Sequence, residues 1–368
     1  MKSRWLPVLM ITAVLVWLPS CSNSNSSTTG HLFVATQADS LITPYNIDLN
    51  NGELSANGSA LATGSGASVM VLAPSGNTLF LAEKTSNDIR AYTVNSNGTL
   101  TAAGGPQATT LSSPAAMAIN SAGTFLFVAN PGNTGSPGSI SVFSVSGTTL
   151  SQVAGSPFLT TDNGVGPIAL GLASSGNFLY VANQTDGTVS AYTVSSAGAL
   201  SLLASPYTVS TTPSGLAMSP DGNFLYVSNF GSNNISSFAV CTVVSSLCPV
   251  ADGSLAAVTG GPFAAGIGPT VIAPHATLKF VYVLDTGSNQ ISGYTRGDNG
   301  SLSPLSPATV ATGVDPVSLV IQPQGNYLYV ANDNGATILG FHIDQTSGLL
   351  GPLAPFTTGG NPAALAAK

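Results

Sequence analysis

Leu179-Tyr180-Val181-Ala182-Asn183 is one copy of a pentapeptide that recurs along the chain. The others are Leu79-Phe80-Leu81-Ala82-Glu83, Leu126-Phe127-Val128-Ala129-Asn130, Leu225-Tyr226-Val227-Ser228-Asn229, Val281-Tyr282-Val283-Leu284-Asp285 and Leu328-Tyr329-Val330-Ala331-Asn332. Leu32-Phe33-Val34-Ala35-Thr36 is a seventh. From the second copy onward the spacings are 47, 53, 46, 56 and 47 residues. Short β-branched and aromatic runs at that period predict one propeller blade per repeat.

Around each pentapeptide the sequence reads as four strands. A short, small-sided strand comes first, such as Ser214 to Met218, and a turn such as Pro220-Asp221-Gly222-Asn223 follows. The pentapeptide is the second strand. Ile89 to Val94, Ile140 to Val145, Val189 to Val194, Ile235 to Val240, Ile291 to Arg296 and Ile338 to Ile343 form the third, and segments such as Leu200 to Leu203 the fourth. Repeat six has Leu278 where the other turns carry glycine, so its turn must differ.

Pro114, Pro167, Pro213, Pro269 and Pro316 each precede a first strand, and Pro362-Ala363-Ala364-Leu365-Ala366 fits the same position. The first repeat, however, begins at its second strand. The expected fold is therefore an all-β, seven-bladed propeller of four-stranded blades, in which the C-terminal segment closes the N-terminal blade and removes an open edge.

These strings resemble the YVTN-type, lactonase-like seven-bladed propellers over about residues 31 to 368. The Gly155-Ser156-Pro157-Phe158 segment and its variant Gly260-Gly261-Pro262-Phe263 add to the likeness. The family includes phosphogluconolactonase-like enzymes and exported surface proteins, so the resemblance implies a fold and, as one alternative, lactone hydrolysis.

Charged residues make up only 6% of the 368, and hydrophobic residues 43%. After residue 30 the basic side chains are Lys84, Arg90, Lys279, Arg296 and Lys368; five against fourteen acids gives −9. Nucleic acid and anionic membranes need clustered cations, so both are excluded as expected partners. No cofactor fingerprint or metal-binding cluster is present, and none is expected.

The N-terminus reads as an address. Lys2 and Arg4 precede an apolar run from Trp5 to Leu18, which is short for a membrane span. Leu18-Pro19-Ser20-Cys21 resembles a bacterial lipobox, with Pro19 the departure from its pattern. The expected division is a lipoprotein signal peptide at 1–20, a lipidated Cys21 with a flexible tether at 21–30, and the propeller at 31–368. Asn23 in place of Asp points to the outer membrane. Cys241 and Cys248 are expected to form a disulfide in an exported protein.

Loops joining second to third strands, and loops joining blades, should reach the face where the central channel opens. The second strands end there in Asn130, Asn183, Asn229, Asp285 and Asn332, a ring that either stabilises turns or binds a ligand. Glu83, Lys84, Asp88 and Arg90 form the densest charged loop, on blade two. One reading makes Glu83 a general base and has Arg90 polarise a carbonyl, with Lys84 and Asp88 as ligand contacts. The other is a solvated ion-pair loop. The function expected first is a lipid-anchored envelope module binding a glycan, peptide or envelope protein, with Pro131 to Ser139 and Cys241 to Ala251 as contact loops. Lactone hydrolysis is the alternative.

Overall fold

The computed structural model describes residues 29–368 apart from 104, 109–112, 133–136, 161–164 and 204–205. The expected signal peptide, Cys21, most of the expected tether and the middle of the Pro131 to Ser139 loop lie outside the described residues.

Seven antiparallel sheets follow one another around a ring. We number the blades in chain order. The second strands are Thr29–Thr36, Thr78–Glu83, Phe125–Asn130, Phe178–Asn183, Phe224–Asn229, Phe280–Asp285 and Tyr327–Asn332. The first strands of neighbouring blades lie side by side at the centre. In six blades the fourth strand is interrupted, so that two short segments pair with the third strand in turn; in blade six, Leu302–Ala311 runs through unbroken.

Why the pentapeptide is apolar throughout follows from its position. Each second strand is covered on both sides, so both alternating faces are buried. Seven hydrophobic clusters result, one at every blade junction. Phe33 and Ala35 pack with Leu79 and Leu81 of blade two, while Leu32 and Val34 pack with Tyr329 and Ala331 of blade seven.

The aromatic of every pentapeptide faces the next blade. The hydroxyl of Tyr180 donates to Gly253 O at 2.8 Å, that of Tyr282 to Gly348 O at 2.7 Å, and that of Tyr329 to Gly52 O at 2.8 Å. These glycines sit in the turns between third and fourth strands with positive φ, at +80°, +74° and +78°. They are also pressed by a ring two residues earlier in the preceding blade's second strand: Phe178 on Gly253, Phe280 on Gly348, Tyr327 on Gly52. A Cβ there would meet the ring as well as the φ restriction.

Pro362–Ala367 is the inner strand of blade one, with Val34 opposite Leu365 and Ala35 opposite Ala364. His31 and Lys368 exchange backbone hydrogen bonds, both 2.8 Å. The turn of repeat six differs because His275 is buried inside it. Its Nδ1 accepts the N–H groups of Thr277 and Leu278 at 3.2 and 3.0 Å, and its Nε2 lies 2.9 Å from Gly325 O. Cys241 and Cys248 are joined in a disulfide, with Cα atoms 5.0 Å apart.

Candidate functional site

Each second strand ends at the channel face in a polar residue that is nevertheless buried: Glu83, Asn130, Asn183, Asn229, Asp285 and Asn332 are all 0% exposed. The reason is a repeated brace. On one side the group reaches its own third strand. Asn183 Nδ2 donates to Thr188 Oγ1 at 3.1 Å and Ser190 Oγ at 2.9 Å. Asn229 Nδ2 donates to Asn234 Oδ1 at 2.8 Å and Ser236 Oγ at 3.0 Å. Asn130 Nδ2 donates to Ser141 Oγ at 3.0 Å, and Asn332 Nδ2 to Thr337 Oγ1 at 3.3 Å. Ser292 Oγ donates to Asp285 Oδ2 at 2.5 Å.

In blades two, six and seven the side chain is also held by an N–H from the loop entering the blade, whereas Asn130 Oδ1, Asn183 Oδ1 and Asn229 Oδ1 are buried with no partner among the described residues. Gly313 N donates to Asn332 Oδ1 at 3.0 Å, Gly64 N donates to Glu83 Oε1, and Gly266 N serves Asp285 in the same way. A Cβ on Gly64, Gly266 or Gly313 would collide with the group it serves. The Asn amide nitrogens are thus bonded within their own blades, and sequence reasoning missed the incoming glycine that completes the brace in blades two, six and seven. Its only trace was a glycine nineteen residues before Glu83, Asp285 and Asn332.

Blade two makes this brace with charges. Arg90 stands where Ser190, Ser236 and Ser292 stand in their blades, seven residues after the strand end. Its Nε donates to Glu83 Oε2 at 3.1 Å. Ser86 Oγ approaches the same oxygen at 3.4 Å. Because Glu83 is fully buried, this is not a solvated ion-pair loop. Burial and hydrogen bonding to the Asp88 carboxyl push the Glu83 pKa up to about 7, and the Gly64 N–H and Arg90 only partly offset that. Asp88 is half-buried and Arg90 is one-third exposed, so both border solvent, whereas Lys84 is exposed and stands apart from the trio.

Asp285 is a second perturbed carboxyl, pushed up to about 6 by burial although Ser292, Gly266 and Gln290 hydrogen-bond it. Around the channel mouth from blades four to seven, Val165, Phe230, Ile267 and Val314 are exposed. Of the three histidines, His31 and His275 lie near the opposite face and His342 on an outer surface, away from Glu83. Among the described residues, no group of three His, Cys, Asp or Glu side chains is placed to hold a metal ion.

The fold and the repeated brace define a seven-bladed propeller with one charged variant of its structural motif. The family model for the seven-bladed lactonase β-propeller matches residues 60–150, 137–252 and 253–366, and the chain belongs to that family. No curated protein matches it in sequence. Among solved structures, a periplasmic gluconolactonase from Pseudomonas aeruginosa is 22% identical with a TM-score of 0.77, over 92% of this chain and 99% of that one. A candidate 6-phosphogluconolactonase from Bacteroides uniformis is 17% identical with a TM-score of 0.78, over 93% and 100%. A protein from Lactobacillus plantarum is 20% identical with a TM-score of 0.76, over 92% and 99%. At these identities the likeness is one of fold.

Proposed function

We propose that the protein is a hydrolase of uncharged lactones in the cell envelope. The observation that carries this reading is the buried Glu83 carboxyl, held by Arg90 with Asp88 beside it at the solvent edge of the channel face. A carboxyl group that borders solvent is placed to take a proton from water. In this reading Asp88, the carboxyl nearer solvent, accepts the proton as the water oxygen attacks the carbonyl carbon. Arg90 stabilises the resulting oxyanion through its terminal amino groups, which lie outside its Nε contact with Glu83. Collapse breaks the ring C–O bond, the proton passes to the leaving alkoxide, and a hydroxy acid results. Glu83 positions both partners. A phosphorylated lactone is disfavoured as substrate, because among the described residues Lys84 and Arg90 are the only cations of this face and Arg90 is already paired.

The disulfide and the N-terminal signal support an oxidising, exported location. Lipid attachment at Cys21 and the outer membrane belong to the same proposal. A second reading, a binding or scaffold module for a glycan, peptide or envelope protein, is favoured by the brace itself, since Glu83–Arg90 occupies the place of Asn–Ser pairs elsewhere. The test is hydrolysis of gluconolactone and simple alkyl lactones by wild type, Asp88→Asn and Arg90→Gln. Loss of at least ~100-fold in kcat in both variants, with unchanged melting, supports the hydrolase. Absence of wild-type hydrolysis above background overturns it in favour of the module.

A further inference from the structure

The face opposite Glu83 carries a feature that lactone hydrolysis does not use. Val243, Val244, Leu247 and Val250 are 57, 71, 36 and 59% exposed, all within the connection between the third and fourth strands of blade five. From Cys241 to Ala251 there is no charged side chain. Cys241 and Cys248 are themselves buried, at 2 and 1%, so the disulfide anchors the loop base in the blade while the valines stand out. An uncharged, stapled loop displaying aliphatic side chains to water is costly unless something apolar covers it.

Two observations point to what covers it. Thr29 pairs with Asp48, the last residue of the third strand of blade one, and Val240 at the loop's entrance pairs with Leu255. The chain therefore enters the propeller on the same face that bears the loop. Ahead of Thr29 lie Cys21 and the apolar run Trp5 to Leu18. From Cys21 to Thr29 the chain can reach at most ~25–30 Å, which keeps this face close to any bilayer holding Cys21. Beside the loop lies a groove of about 550 Å³ lined by Asp221, Phe224, Lys279, Arg296 and Asp298. Arg296 Nη2 is 2.9 Å from Asp221 Oδ2 and its guanidinium lies 5.5 Å from the Phe224 ring centre, while Lys279 pairs with Asp298. Two cations and two carboxylates make a neutral, alternating surface. It complements a zwitterionic head group and does not select an anionic one.

We infer that this face docks on a zwitterionic phospholipid surface, with the Cys241–Cys248 loop entering the interfacial layer and the channel face turned away from the membrane. This rests on the envelope location proposed above, but not on any catalytic activity. The shallow burial of a few aliphatic side chains adds a second contact to a lipid anchor, as stable attachment requires.

The experiment uses the mature lipoprotein beginning at lipidated Cys21, reconstituted into phosphatidylcholine vesicles containing brominated lipid. Val244→Trp and Val314→Trp place reporters on the two faces, and the sequence from Cys21 onward carries no other Trp. Quenching at least ~2-fold stronger at Val244→Trp than at Val314→Trp is expected, with emission shifted to the blue. Equal quenching at both positions overturns the inference, as does a Val244→Trp signal that responds only to an added envelope protein. Unchanged melting of both variants shows that the fold is intact.

Discussion

The hydroxyl of Tyr329 donates to the carbonyl of Gly52 across 277 residues of sequence, fastening blade seven to blade one. The same bond joins blades four to five and six to seven, through Tyr180 and Tyr282. Blade five departs from the pattern: Tyr226 Oη has no partner, and Ser237 Oγ takes the carbonyl of Gly300 at 3.0 Å instead. Tyr329→Phe should therefore lower stability by ~1–2 kcal/mol, because it leaves a buried carbonyl unpaired. Tyr226→Phe should be neutral or slightly stabilising. Thermal melting of the two variants side by side checks both.

The glycines under the rings give a second contrast. Gly253→Ala puts a Cβ into the Phe178 ring at a φ of +80°. The cost should be ~2–4 kcal/mol, from backbone strain and overpacking together. Gly147 occupies the corresponding turn of blade three with a φ of +59°, but blade two offers Thr78 where others have a ring, and nothing lies within 4 Å of the added carbon. Gly147→Ala should cost only the strain, ~1 kcal/mol. Denaturant midpoints separate them.

Glu83 makes stability depend on pH. Its folded pKa of about 7 lies above the ordinary glutamate value of 4.5, so the folded protein binds the proton more tightly than the unfolded chain. Below about pH 4.5 this contribution is fully present, and it is lost as pH rises through about 7. Asp285, raised to about 6 from 3.8, acts with the same sign over a window slightly lower. Melting temperature should fall between pH 5 and 8 by an amount equivalent to on the order of 1–3 kcal/mol, and Glu83→Gln should flatten the slope. A slope unchanged in that variant would assign the effect elsewhere.

Removal of Pro362 to Lys368 strips blade one of its inner strand and exposes the edge of Thr29–Thr36. The truncated chain should melt well below the intact one and aggregate on heating. Light scattering during the melt reports both. An unchanged transition would show that the blade holds with three strands.

The disulfide closes a loop with a sequence separation of 7. Its loss in Cys248→Ser should cost ~2–3 kcal/mol by chain entropy, with the valines of the loop freed to move. Calorimetry under oxidising conditions measures it.

Most of the fold was legible because a strand buried on both faces must be apolar throughout, and seven such strings at blade spacing admit few architectures. The position of Pro362 even showed how the ring closes. The interruption of the fourth strands was not legible, since segments as short as Phe158–Leu159 leave no periodicity to read. The site was half legible. Glu83, Asp88 and Arg90 stood out by charge in a chain with so little of it, yet their burial could not be read, because the buried wall comes from Gly64 on another loop. The Tyr–Gly bonds were hidden for the same reason: both partners are common residues, and only the ring brings them together.

The closure at Pro362–Ala367 has a consequence in time as well as in space. Blade one is the earliest part of the propeller to be synthesised, and it stays incomplete until Pro362–Ala367 has been added. Its open edge marks every chain that stops short of Pro362, and the first of the second strands to form is the last to be covered.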